Sequence, residues 1–180
     1  ANPVFIGNPM EFAPNDPEYG KQHHHKIIQS EKAWDYSMGE AEVIVAVTDD
    51  GYKMDHEDLA GIYHINEGEI PGNNIDDDGN GYIDDVSGWN FNEGNNNPGV
   101  KGWNGSHGTH CAGIVAADFD NGKGVVGHGP KIKVMPLKFY GSKSWTGEMI
   151  METYKYAADN GAKIITTSYN VDGMSKKKIY

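Results

Sequence analysis

The sequence predicts an α/β domain built on a parallel sheet, and three observations carry that expectation. Short apolar runs of strand length occur at 42–48 (EVIVAVT), 131–139 (KIKVMPLKF) and 162–168 (AKIITTS). The first is β-branched and apolar on both faces, as strands covered on two sides are. Segments with helical patterning separate the three runs, and the order strand, helix, strand, helix, strand closes a parallel sheet through right-handed crossovers.

Each element has its own reason. Residues 1–41 are polar and rich in Pro and Asn, then carry a short helical pattern through IIQSEKAWDYSMG, so they read as an arm wrapped on the core. Residues 66–105 are rich in Gly, Asn and Asp, and a loop of that length inside a compact domain is functional or ordered by an ion. SHGTHCAGIVAADF reads as a helix beginning near His107, with Ser106 as its N-cap. In TGEMIMETYKYAADNG, apolar positions at Met149, Ile150, Thr153, Tyr154 and Ala157 give an amphipathic helix that stops at Asn160-Gly161. The final stretch, NVDGMSKKKIY, holds no closing element, so the pattern of residues 1–180 reads as interrupted and not finished.

Composition narrows the function classes. A net charge of −11 argues against a nucleic-acid partner and is compatible with cation binding. No apolar run approaches the roughly 18 residues a membrane helix needs. The first residues lack the charge and apolar core of a signal peptide, which suits a cytoplasmic chain or a processed secreted one. The single cysteine, Cys111, is expected to be a small buried thiol.

Two places bear chemistry. Asp49 and Asp50 stand at the carboxyl end of the first strand, where parallel sheets bind ligands, and Gly51 follows for a tight turn. His107 and His110 lie three apart in NGSHGTHCAGIVAA. Zinc-protease helices place two histidines four apart with a Glu between, and neither condition holds here. Two readings stay open from the residues: a general base oriented by a carboxylate, with Gly105 and Gly108 clearing space for substrate, or two packed core histidines.

Taken together and in order, VAVTDDG, HEDL, GSHGTHCAGIVAA, PLKFYG and AADNGAKIITTS resemble the subtilisin-like serine proteases over most of the chain. PNDPEYGKQHHHKIIQSEKAW is similar to the segment before that family's first strand, and the DDG form resembles its kexin-like branch. The resemblance implies a doubly wound parallel sheet with helices on both faces, incomplete in this chain. It implies Asp49 as the carboxylate that orients the base, His107 as the general base, and His110 as a structural residue. It also implies that Ser144, Trp145 and Thr146 pair with an extended polypeptide substrate, and that Ser168, with Tyr169 and Asn170 after it, lines the first specificity pocket. The family's nucleophile motif G-T-S-x-A-x-P surrounds none of Ser30, Ser37, Ser87, Ser106, Ser142, Ser144, Ser168 or Ser175. The expectation is therefore a serine endopeptidase whose nucleophile comes from a C-terminal fragment of the same protease, with this chain inactive alone. A propeptide partner and a secreted or extracytoplasmic location accompany it. The alternative is a calcium-stabilised, non-catalytic fragment or peptide-binding module.

Calcium is expected from DDDGNGYIDD. Asp76, Asp78 and Asn80 alternate, Gly81 follows, Tyr82 offers a carbonyl and Asp84 stands ninth, as in the front of an EF-hand loop. Position twelve is Ser87, so a bidentate carboxylate must come from elsewhere, such as Asp85. From resemblance alone, Asp58 and Asn121 hold a second ion. The run His23–His25 is not expected to bind metal, because adjacent residues do not readily converge on one ion.

Overall fold

A computed structural model describes residues 13–101 and 106–169. Four parallel strands form one sheet: β1 (Ile44–Asp49), β2 (Trp89–Asn90), β3 (Lys133–Lys138) and β4 (Ile164–Thr167), in the spatial order β2-β3-β1-β4. The three strands expected from sequence are present, each one to two residues shorter at one or both ends. β2 was not foreseen, since a two-residue strand leaves no periodicity.

Side-chain alternation sends the two faces of β1 and β3 to different helices. Val47 and Val134 pack with Ala112 and Ala116 of α3 (Ser106–Ala116), joined by Leu59, Ile62 and the rings of Tyr52 and Tyr63. Ala46, Met135 and Leu137 pack on the opposite face with Ile150, Tyr156 and Ala157 of α4 (Gly147–Asp159). Helices therefore cover both faces, and the doubly wound arrangement is present. From β1 the chain runs to the edge strand β2; α3 then carries it back from β2 to β3, and α4 carries it past β1 to β4. The chain thus leaves β1 toward β2 and then moves back across the sheet the other way, and ligands of such sheets sit beyond the carboxyl ends of the strands.

Pro136 interrupts β3 without cost to the sheet. It has no N–H to donate. The edge of β3 away from β1 is met in two pieces, with Ile62 and His64 bonded to Val134 and β2 paired only to Leu137 and Lys138. Between them Gly88 (φ +74°) crosses so close to the Pro136 carbonyl that a Cβ would stand 1.9 Å from its oxygen.

The arm departs from the single helical pattern expected. It forms α1 (His23–Ile28) and α2 (Ser30–Trp34), broken at Gln29, whose φ is +59°. Long-range bonds explain the break. Gln22 exchanges two hydrogen bonds with the Val126 backbone, the buried His25 bridges Ser30 and the Val126 carbonyl, and Trp34 donates to the His128 carbonyl. A straight helix could not present Gln22, His25 and Trp34 to one turn.

The end of α3 also fixes the residues after it. The N–H of Gly127 donates to Ala117, and a Cβ at Gly127 would stand 2.4 Å from both the Ala116 Cα and the Ala117 nitrogen. Gly127→Ala should lower stability by about 2–4 kcal/mol, because backbone lies on the obstructed side and cannot yield as a side chain would. Urea unfolding measures this; a change below about 0.5 kcal/mol would contradict the close approach.

Candidate active site and acidic loop

β1 ends at Asp49, whose carbonyl accepts from Phe139 and whose carboxylate is almost fully buried. Both of its oxygens lie within hydrogen-bond reach of the His107 Nδ1, at 2.7 and 2.9 Å. An ionised carboxylate only accepts, so Nδ1 carries the proton and Nε2 keeps the lone pair. The His107 side chain is 54% exposed, so a buried orienting group holds an open base. The hydrogen bond and charge of Asp49 raise the imidazole pKa above its ordinary value.

The next carboxylate positions the helix. Asp50 accepts the Gly108 N–H at 2.9 Å, and the Thr109 hydroxyl accepts the Lys53 N–H at 2.9 Å. Together they fasten the first turn of α3 to the turn after β1. Burial, together with the charge of Asp49, raises the Asp50 pKa. A Cβ at Gly108 would meet the Gly51 carbonyl at 2.5 Å and the Asp49 Cβ at 2.9 Å. Gly108 is thus required for helix and strand turn to touch, correcting the expectation that it clears space for substrate; Gly105 lies outside the described residues.

Two further expectations change. His110 is exposed, not packed in the core, and faces a cavity of about 650 Å³ behind α3. Cys111 is partly exposed, with its sulfur 3.8 Å from the His107 Nδ1 and 3.6 Å from the Ser168 Oγ. It lies on the nitrogen already committed to Asp49, and burial raises its pKa. Neither condition suits a thiolate nucleophile.

The expected substrate segments follow the carboxyl ends of β3 and β4, and Phe139 links them. Its ring packs against Trp145 (centroids 6.4 Å apart) and Tyr169 (4.5 Å). The Tyr169 hydroxyl meets Thr48 at 2.9 Å, over the end of β1. Ser144 and Ser168 are exposed, whereas Thr146 caps α4 by accepting from the Met149 N–H. Asn170 lies outside the described residues. Sequence reading missed Asn92, which is buried and holds the 139–143 turn by bonding the Phe139 and Lys143 carbonyls and the Lys143 N–H.

In the acidic loop the convergent carboxylates are Glu69, Asp78 and Asp85, with oxygens within 4.8 Å of one another. Among the described residues no Lys or Arg pairs with them; Asn66, Asn80 and the Tyr156 hydroxyl donate to the two aspartates, and the Asp77, Asp78 and Asp84 N–H groups to Glu69. Three close carboxylates without a cationic partner and an all-oxygen donor set fit a hard divalent cation such as Ca²⁺. Glu69 was missed because it precedes the motif by seven residues.

The remaining loop positions do other work. Asp76 caps the Asn80 and Gly81 N–H groups, and Asp84 accepts from the Gly72, Asn73 and Asn74 N–H groups. Tyr82 packs its ring on Trp89 and Tyr156. At the second expected site Asp58 and Asn121 do meet, but as donor and acceptor: the Asn121 amide donates to Asp58 at 2.9 Å, and the Val125 N–H takes the other oxygen. That pair closes on itself and clamps the 121–125 turn, so its geometry does not fit a shared cation.

The electrostatics can be read by titration. By NMR, His107 should titrate above 6.5, and Asp49→Asn should bring it to 6.5 or lower. The raised pKa makes this attraction stabilising in full below the free-imidazole value and lost as pH rises through the folded value, with little net effect on stability because the ring is exposed. An unchanged His107 pKa in the variant would break the assigned pairing.

Comparison with known proteins agrees with this geometry. The family model described as "Subtilase family" matches residues 40–179. The chain is 34% identical over 161 residues to thermitase of Thermoactinomyces vulgaris, covering 87% of this chain and 48% of thermitase. Halolysin of Haloferax mediterranei is 32% identical over 157 residues, covering 87% of this chain and 27% of halolysin. Among solved structures, a Pseudoalteromonas arctica protease superposes with a TM-score of 0.59 at 26% identity, covering 91% of this chain and 47% of that one. The chain thus spans about half or less of these relatives. With the Asp49–His107 pair at the carboxyl end of β1 in a doubly wound sheet, and with a family model matching most of its length, this chain belongs to the subtilase family of peptidases.

Proposed function

We propose that this chain supplies the base half of a serine endopeptidase site, the nucleophilic serine coming from a segment beyond residue 180. One observation carries the reading: Asp49 holds the His107 Nδ1, leaving Nε2 as an open base at the carboxyl end of β1. No hydroxyl bonds that Nε2 among the described residues. In the proposed reaction Nε2 takes the proton of the incoming serine hydroxyl as its oxygen attacks the peptide carbonyl. The imidazolium so formed is stabilised by Asp49, and it returns the proton to the leaving amine. An extended polypeptide substrate would lie along residues 144–146 and reach Ser168 and Tyr169.

The open side of β4 supports the same reading. Ile164 is 55% and Ile165 37% exposed, unusual for an apolar strand in a parallel sheet. The serine-bearing segment would cover it. Work outside the cytoplasm and a propeptide partner belong to the proposal too, supported by a relative from Natrialba magadii named an extracellular serine protease. Calcium, held by Glu69, Asp78 and Asp85, would order the loop between β1 and β2.

A fluorophosphonate probe tests the activity. A longer form of the protein that includes the serine segment should label, and residues 1–180 alone should not. His107→Ala should slow labelling by about 10²–10⁴-fold. A longer form that never labels would leave a non-catalytic module as the function.

Calcium has its own test. EDTA should lower the melting temperature by about 5–10 °C, as loss of an ion bound far above its Kd would. Glu69→Gln should shrink that shift. A melting temperature indifferent to both would remove calcium from the proposal.

A further inference from the structure

The arm places His24 and His25 beside His128, which lies more than one hundred residues away in sequence. Ring centroids stand 5.1 Å apart for His24–His128, 4.7 Å for His25–His128 and 4.4 Å for His24–His25. His25 has both ring nitrogens engaged, on Ser30 and on the Val126 carbonyl. The other two rings differ. The His24 Nε2 and the His128 Nδ1 are buried, and neither has a hydrogen-bond partner among the described residues.

A buried ring nitrogen without a partner forfeits the free energy that water would have given it, and two on adjacent rings call for a common explanation. Two imidazoles sharing one tetrahedral ion, each nitrogen about 2.1 Å from it, place their ring centroids about 5 Å apart. The His24–His128 separation of 5.1 Å matches this. A T-shaped pair 62° between planes also lacks the parallel overlap that stacking would give. The large cavity behind α3 reaches His24 and offers an ion a way in.

We propose that His24 and His128 form a zinc-class metal site that pins the arm to the turn after α3, through the His24 Nε2 and the His128 Nδ1, with water completing the coordination. The site is separate from the carboxylate cluster of the acidic loop, whose oxygen donors suit a harder ion. His25 acts as the spacer that holds both rings in place. Its two hydrogen bonds explain why three consecutive histidines need not converge on one ion: only one of them is a ligand, and the second ligand comes from a turn more than one hundred residues on in the sequence.

Zinc titrated into the calcium-saturated full chain at pH 7.5 tests the proposal. Calorimetry should show one equivalent that also raises the melting temperature. His24→Gln and His128→Gln should each weaken that affinity at least about tenfold, because a two-imidazole site loses half of its protein ligands. His23→Gln should leave it unchanged. His107→Ala should leave it unchanged too, which separates it from zinc held by the Asp49, His107 and Cys111 cluster. Should either Gln variant fail to fold, ¹⁵N chemical shifts in the unsubstituted protein give the same answer: zinc must move the His24 Nε2 and His128 Nδ1 resonances. Zinc binding that survives both substitutions, or ring nitrogens unmoved by zinc, would overturn the site.

Discussion

The attachment of α3 to the carboxyl end of β1 is the contact on which the rest of this molecule depends. Three adjacent positions on the strand side meet two on the helix side: Asp49 with His107, and both Asp50 and Gly51 with Gly108. A buried carboxylate beside another is costly. Here each has its own donor, an imidazole N–H for one and a backbone N–H for the other. The same contact that docks the helix therefore orients the base, and the second aspartate of the DDG turn has a structural reason to be an acid.

Behind that contact the core is divided by parity along two strands. Odd positions of β1 serve the α3 side and even positions the α4 side, so the pieces of the site are delivered by different layers. His107 comes from one face, while Trp145 and Tyr169 come from around Phe139 on the other. Buried polar groups join these pieces. Tyr52, fully buried, donates to the carbonyls of Val47 in β1 and Leu137 in β3, and Asn92 fixes the turn that leads to residues 144–146.

What the sequence disclosed follows physical range. Strands β1, β3 and β4 and helix α4 were legible because their patterns are local and periodic. Asp49 and His107 were legible because their short motifs resemble a known family's. Glu69, Asn92 and the His24–His128 neighbourhood were not, since each acquires its meaning from a partner brought in by the fold. Asp84 shows the reverse error: an EF-hand spacing suggested a ligand, while the chain's turn at 72–74 supplies three N–H groups that occupy it. Gly108 was singled out correctly, yet its reason is helix–strand contact, which spacing alone could not reveal.

The arm gives the molecule a characteristic order of assembly. Asn15 and Asp16 bind the 120–122 turn, Glu18 binds Gly124, and Gln22 binds Val126 across 104 residues of chain. None of these bonds can form until the whole first crossover, with its acidic loop, has left the ribosome and compacted. Loop closure over such a span is entropically expensive until other contacts have drawn the ends together. The arm precedes the core in the chain yet is among the last segments to find its place, a clasp fastened over a core already built.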